Sequence, residues 1–275
     1  MIDIGWFSTG RGAGSQGLLR FVQDRILAGQ LDARIQFVFS NRDPGEAEGS
    51  DQFFRLVEGY SLPLITYSSA KFRRAGQGSF ASRREEYDGH VMELLAQFHP
   101  GICVLAGYML IVGGNMCRRY DLLNLHPALP DGPTGTWQEV IWKLIETRAS
   151  RTGAMMHLAT EEVDRGPVVS YCTMPITGEG FAPHWRALEQ GDLASIKEAQ
   201  GEDLPLFQQI RQAEYRKEPY LLLETLRAIE QQRVAISNGR VSEGTGSGSS
   251  LLGPQGICLD PEIEGALAAD GIAGA

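Results

Sequence analysis

At 43% hydrophobic and 21% charged, the 275-residue chain has an ordinary globular composition, long enough to bury one sizeable core, or one core with a smaller appended piece. A net charge of −9 argues against a nucleic-acid partner, because phosphate backbones are held by dense Lys and Arg. No apolar run reaches the length of a membrane span and the sequence opens on a strand-like segment, so the expectation is no membrane association, no targeting signal and a cytoplasmic location.

The first half alternates strand-like and helix-like segments. "IDIGWFS" reads as a strand, residues 16–28 as a helix, "ARIQFVFSN" as a second strand and "GSDQFFRLVEGY" as a helix closed by Gly59. "LPLITYS" is a third strand, and an amphipathic helix over 81–98 stops before Pro100. "ICVLAGYM" and "DLLNLHP" give a fourth and a fifth strand, and "WQEVIWKLIETR" a helix. "GAMMHLAT" and "GPVVSYCTMPI", joined by "EEVDR", suit an antiparallel hairpin with a short functional loop. Near-continuous apolar strands alternating with helices predict an α/β fold: a mostly parallel twisted sheet with helices on both faces and this antiparallel C-terminal hairpin. Residues 178–206 are mixed and polar and read as helical, an insertion within one domain spanning 1–240. From Leu206 to about Gln232 the pattern is one long amphipathic helix or a helix pair, with Pro219 a candidate break. "EGTGSGSS" at 243–250 reads as a flexible linker, and the remaining tail as a docked strand-like tip with a frayed end.

"GAGSQG" at 12–17 matches the dinucleotide pattern G-x-G-x-x-G between a strand and a helix. A dinucleotide site also wants an acidic side chain closing the second strand, where this chain has Ser40 and Asn41; Asp43 comes too late and precedes Pro44. The nicotinamide reading therefore recedes. A Gly-rich turn still lets backbone N–H groups approach an anion, which makes Gly12, Ala13, Gly14, Ser15 and Gln16 candidates for a substrate phosphate, against the alternative of a tight turn without a ligand. Cys103, Cys117, Cys172 and Cys258 lack C-x-x-C spacing, so buried thiols are expected rather than a zinc or other metal site.

The stretch "VLAGYMLIVGGNMCRRYDLLNLHPALP", taken with "GAMMHLATEEVDRGPVVSYCTMPI", resembles the formyltransferase family that uses 10-formyltetrahydrofolate, most closely its glycinamide ribonucleotide branch in purine synthesis. The matching positions are Val104 to Met109, Asn124, His126 and Pro127, then Asp164, Gly166, Pro167 and Val168; "VFSN" at 38–41 and "REEYD" at 84–88 also fit, so that the likeness runs with gaps over most of 1–240. It implies a Rossmann-like formyltransferase fold, 10-formyltetrahydrofolate as co-substrate, no metal and a small-molecule amine as acceptor.

It further implies that Asn124, His126 and Asp164 are catalytic. Attack of an amine on a formyl carbon needs a donor for the developing oxyanion, which a carboxamide supplies, and a group that titrates near neutrality to pass protons. Alternation along a strand sets Asn124 and His126 on one face, and Asp164 would orient or charge His126. Singly, each has a plainer reading: a turn cap, or a satisfied loop histidine. The family grips its pterin with backbone, which points here to Met109, Leu110, Ile111 and Val112 and to Ala159, Thr160, Glu161, Glu162 and Val163. His157 reads as a packed strand histidine near the site, and His90 and His99 carry no role; the resemblance does not fix the segment holding His184.

Three departures bear on the acceptor. Leu110 stands where the family carries an Arg, with Arg84 the best aligned of the arginines that would compensate. "ALPDGPTGTWQEV" is a residue short and lacks the family's His, and residues 178–206 and the tail are longer than expected. Hydrolysis of the formyl group, another amine acceptor and a folate-binding pseudoenzyme stay open beside the leading reading, as does a homodimeric assembly. Transfer to methionyl-tRNA is disfavoured by the acidic balance.

Overall fold

The computed structural model describes residues 1–189, 191–244 and 253–272. In chain order the elements begin with β1 (Ile2–Phe7), α1 (Ala13–Leu27), β2 (Ala33–Ser40), α2 (Glu48–Gly59), β3 (Leu64–Thr66), α3 (Ser69–Ala75) and α4 (Arg84–Leu94). There follow β4 (Ile102–Leu105), α5 (Gly114–Arg119), β5 (Leu122–His126), α6 (Trp137–Glu146), β6 (Arg151–Leu158) and β7 (Val168–Pro175). The last are α7 (Ala182–Leu188), α8 (Leu193–Gln200), α9 (Pro205–Glu230), β8 (Val234–Ser237), β9 (Arg240–Glu243), β10 (Ile257–Cys258) and α10 (Asp260–Ala269). The class is α/β as expected, with eight strands in a mostly parallel sheet and flanking helices.

The chain falls into two compact units. The first holds residues 1–124, 157–167 and 226–253. Its strands follow the order β5-β4-β1-β2-β3, every neighbouring pair parallel. Trp6, Phe7, Phe37, Val38, Phe39 and Val104 are fully buried, which is why these strands read as unbroken apolar runs. Phe72 of α3 and Tyr87 and Val91 of α4 complete an aromatic core with Phe7, Phe37 and Phe39. β8 and β9 form an antiparallel hairpin whose turn, Asn238-Gly239, has positive φ at both residues, the geometry that Asn-Gly accepts most readily.

The second unit holds residues 125–156, 168–225 and 254–275. α6 is entered through a capping box, Thr136 and Glu139 bonding each other's backbone, and buries Val140, Ile141, Leu144 and Ile145 in a cluster that includes Phe207 and Ile210 of α9. β10 runs parallel to β7, and α10 buries Ile263 and Leu267. Asp260 accepts from the Thr173 amide at 2.7 Å and from its hydroxyl at 2.6 Å, so the tail is tied to β7 by backbone and side chain alike.

Several elements differ from the sequence expectation. The fourth strand was expected to reach Met109 and ends at Leu105, because Gly107 turns the chain at φ +69°. α9 passes Pro219 without stopping: the proline forfeits one helix hydrogen bond, while Tyr220 to Leu223 and Leu226 bury the turns that follow. α3, α5 and the β8–β9 hairpin were not anticipated, and the tail carries a ten-residue helix. Of the expected linker, 245–250 lie outside the described residues, as do 273–275 of the expected frayed end. Among the described residues no helix is long and apolar enough to cross a membrane.

Candidate active site

α1 starts at Ala13, with Gly12 extended before it and no side chain capping the helix, and Gln16 N closes the first turn onto Gly12 O at 3.3 Å. Gly12 and Ala13 are exposed, Gly14, Ser15 and Gln16 half-buried, and the Gln16 amide lies 3.4 Å from Gly49 O. An uncapped helix start with exposed glycine is compatible with an anion there. The end of β2 is closed to a ribose. Buried Asn41 accepts from Thr9 Oγ1 at 2.7 Å and donates to Ser69 Oγ at 3.2 Å, and Asp43 pairs with Lys71 at 2.7 Å. No carboxylate is presented where a nicotinamide dinucleotide needs one.

Thr9 Oγ1 also accepts from Met109 N at 2.9 Å, which anchors the loop that leaves β4. Along that loop Leu110 and Tyr108 pack on the aromatic core and Val112 is buried, whereas Met109 and Ile111 are 61% and 56% exposed. Gly113 N donates to Asp88 Oδ2 at 2.5 Å; burial pushes the Asp88 carboxyl up to about 6 against the pull of that bond and of Arg84. Arg84, one turn earlier on α4, stacks over Phe80 at 4.4 Å and has Nε and Nη1 buried without a hydrogen-bond partner. A guanidinium left this way beside the loop has donors to offer a carboxylate.

The second loop runs from Ala159 to Pro167. Leu158 N donates to Pro167 O at 2.9 Å, so the chain returns where it left. A side chain on Gly166 would collide with the Leu158 carbonyl, which is why only glycine fits there. Asp164 sits at φ +56°, a left-handed conformation that Asp tolerates better than most residues. Ala159 packs on the same aromatic core as Leu110, and Thr160 Oγ1 donates to Glu162 O at 3.0 Å. Glu162 and Glu161 are exposed, with Glu161 paired to Arg118 of α5 at 2.7 Å, which sets the second loop beside that helix. Val163 is 51% exposed. Three outward apolar side chains, Met109, Ile111 and Val163, among backbone amides are the kind of lining that a flat heterocycle uses.

Asn124 and Asp164 both meet one imidazole, that of His157. Asn124 Nδ2 lies 3.1 Å from His157 Nε2, and Asp164 Oδ1 is 3.6 Å from the same nitrogen. His157 is 2% exposed and Asp164 10%. Ala159 N bonds Leu122 O at 2.7 Å, so pairing of 122 with 159 and of 124 with 157 sets the end of β6 antiparallel to β5. His126, in the second unit, is buried with Nε2 3.0 Å from Pro133 O. From the sequence His157 reads as a packed strand histidine near the site; the structure sets its Nε2 between Asn124 and Asp164. Among the described residues no cluster of three or more His, Cys, Asp or Glu could hold a metal. Burial raises the Cys172 thiol to about 12 and the Cys103 thiol further, both far from reactive.

Residues 12–180 match the model of the "Formyl transferase" family. The chain belongs to that family. Among formyl transferases, the phosphoribosylglycinamide formyltransferase of Saccharomyces cerevisiae is 33% identical over 179 residues, 61% of this chain and 82% of the relative. The solved structure of the phosphoribosylglycinamide formyltransferase of Coxiella burnetii aligns over 94% of this chain and 98% of its own, with a TM-score of 0.66 at 19% identity. A formyltetrahydrofolate deformylase of Pseudomonas putida aligns over 87% of this chain and 69% of its own, with a TM-score of 0.56 at 16% identity. At those identities the two structures bear on the fold alone.

Proposed function

We propose that this formyl transferase moves a formyl group from 10-formyltetrahydrofolate to the amine of glycinamide ribonucleotide, a step of purine synthesis. What supports the reading is the convergence of Asn124 and Asp164 on one buried imidazole, in a chain that covers 82% of the yeast phosphoribosylglycinamide formyltransferase at 33% identity.

The exposed apolar side chains of Met109, Ile111 and Val163, with the backbone of 109–112 and 159–163, hold the pterin, and Arg84 takes an anionic group of the co-substrate. Bound there, the co-substrate supplies an activated formyl carbon. The start of α1, Gly12 to Gln16, holds the acceptor's phosphate with its backbone N–H groups. The Asn124 carboxamide donates to the formyl oxygen as charge develops on it, an interaction worth roughly 3–4 kcal/mol. His126 carries a proton toward the departing nitrogen, and the Asp164 carboxylate stabilises the positive charge that develops on the attacking amine. The acceptor amine is itself the nucleophile, so positioning and electrostatics are what these residues contribute.

Hydrolysis of the formyl group to formate is the second reading: water attacking the same formyl carbon would call on the same oxyanion donor. Release of free folate from 10-formyltetrahydrofolate separates the two: turnover that requires glycinamide ribonucleotide supports transfer, and equal turnover without any amine replaces it by hydrolysis.

A further inference from the structure

Resting on that reading, we propose that His157 is a positioning residue for Asn124, acting through its tautomer. The imidazole is buried on β6 and both nitrogens have defined partners. Nδ1 lies 3.1 Å from the carbonyl oxygen of Leu158. A carbonyl only accepts, so Nδ1 carries the hydrogen, and in the neutral ring Nε2 is left as an acceptor. Asn124 Nδ2, at 3.1 Å, fills that acceptor with one of its two amide hydrogens. The opposite orientation of the carboxamide would set an oxygen lone pair against a ring lone pair, which fixes the amide with Nδ2 toward the ring.

The consequence for the reaction is geometric. One N–H of Asn124 is committed to His157, the plane of the carboxamide is locked, and the second N–H is the one presented to the formyl oxygen. Unanchored, the side chain would rotate about a broad χ2, and the donor would have to be ordered at each turnover. Asp164 Oδ1, at 3.6 Å from the same Nε2, lies outside hydrogen-bond range while Asn124 holds the site. Protonation of Nε2 would set N–H against N–H at Asn124, so the locked arrangement belongs to the neutral ring.

Two substitutions separate this from packing. His157→Gln carries its terminal carbonyl oxygen close to the place of Nε2 and keeps an acceptor for Asn124, whereas His157→Leu keeps bulk and removes it. The expected result is that Leu lowers kcat tenfold or more with KM for 10-formyltetrahydrofolate unchanged, and that Gln recovers most of that loss. Equal loss in both variants, or full kcat in the Leu variant, overturns the assignment. ¹⁵N NMR of the wild-type imidazole adds a readout that needs neither substrate nor a stable His157 variant. The Nδ1–H tautomer is expected, with an Nε2 resonance that moves in Asn124→Ala. An Nε2–H tautomer, or a resonance blind to Asn124, refutes the arrangement even if transfer is observed. Absence of formyl transfer with the predicted tautomer and coupling intact would instead refute the functional reading and, with it, the catalytic consequence drawn here.

Discussion

Glu214 offers a prediction whose size can be worked from its surroundings. It lies on α9 with no exposed surface, Oε1 accepting from Thr152 Oγ1 at 3.2 Å and Oε2 without a hydrogen bond, 3.8 Å from Arg211 Nη1. Arg211 is already engaged by Glu218 at 2.5 Å. Burial, then repulsion from Glu218, lifts the Glu214 carboxyl from 4.5 to about 9, with Arg211 and the Thr152 hydroxyl opposing. The sign follows from linkage. A carboxyl raised in the folded state keeps its proton there while the unfolded chain releases it, so stability is fully present below pH 4.5 and is lost as pH rises toward 9. At about 1.4 kcal/mol per unit, neutral pH already forfeits about 3 kcal/mol, and pH 9 nearly twice that. Glu214→Gln keeps the acceptor for Thr152 and abolishes the titration. In urea unfolding the variant should match the parent near pH 4.5 and exceed it by up to about 3 kcal/mol at pH 7, with a wider gap at pH 8.5. A difference that does not change with pH, or a variant weaker than the parent at pH 8.5, would refute the reasoning.

Three more outcomes are expected. His126→Ala and Asp164→Asn should each lower turnover on the order of a hundredfold, read as kcat with saturating substrates, and near-full activity in either removes it from the site. Gly14→Asp adds negative charge to the first turn of α1 and should raise KM for the acceptor about tenfold with folate affinity kept; equal loss of both ligands points to misfolding. Truncation after residue 253 removes the buried side chains of Leu259, Ile263 and Leu267, each worth about 1.5–3 kcal/mol, and should cost roughly 5 kcal/mol in urea unfolding; an unchanged midpoint would show that the tail is dispensable.

The strands of the first unit were legible because they are buried on both faces, and a segment such as "ARIQFVFS" announces itself without help from its neighbours. The β8–β9 hairpin was hidden for the opposite reason. Its Asn238-Gly239 turn is a strong signal, but Arg240, Ser242 and Glu243 make the flanks look like loop. α5 is six residues long and opens on Gly-Asn, too short for periodicity to register. Asn124 and Asp164 stood out through their flanking pattern, while His157, inside the apolar run "GAMMHLA", was indistinguishable from core. Its significance depends on a partner 33 residues away, which only the pairing of β6 with β5 supplies.

The loop between β6 and β7 explains why Asp164 reaches the same imidazole as Asn124. The backbone bond from Leu158 to Pro167 closes the loop at its root, the bare Gly166 lets the returning strand lie against the Leu158 carbonyl, and the left-handed turn at Asp164 directs its side chain back toward β6. None of these three features depends on an exposed ion pair, whose worth in water is about 0–1 kcal/mol. The Arg118–Glu161 pair at the loop surface is of that exposed kind. The position of Asp164 relative to His157 is therefore a property of the β6–β7 backbone, and the surface pair acts only at the outer edge of the loop.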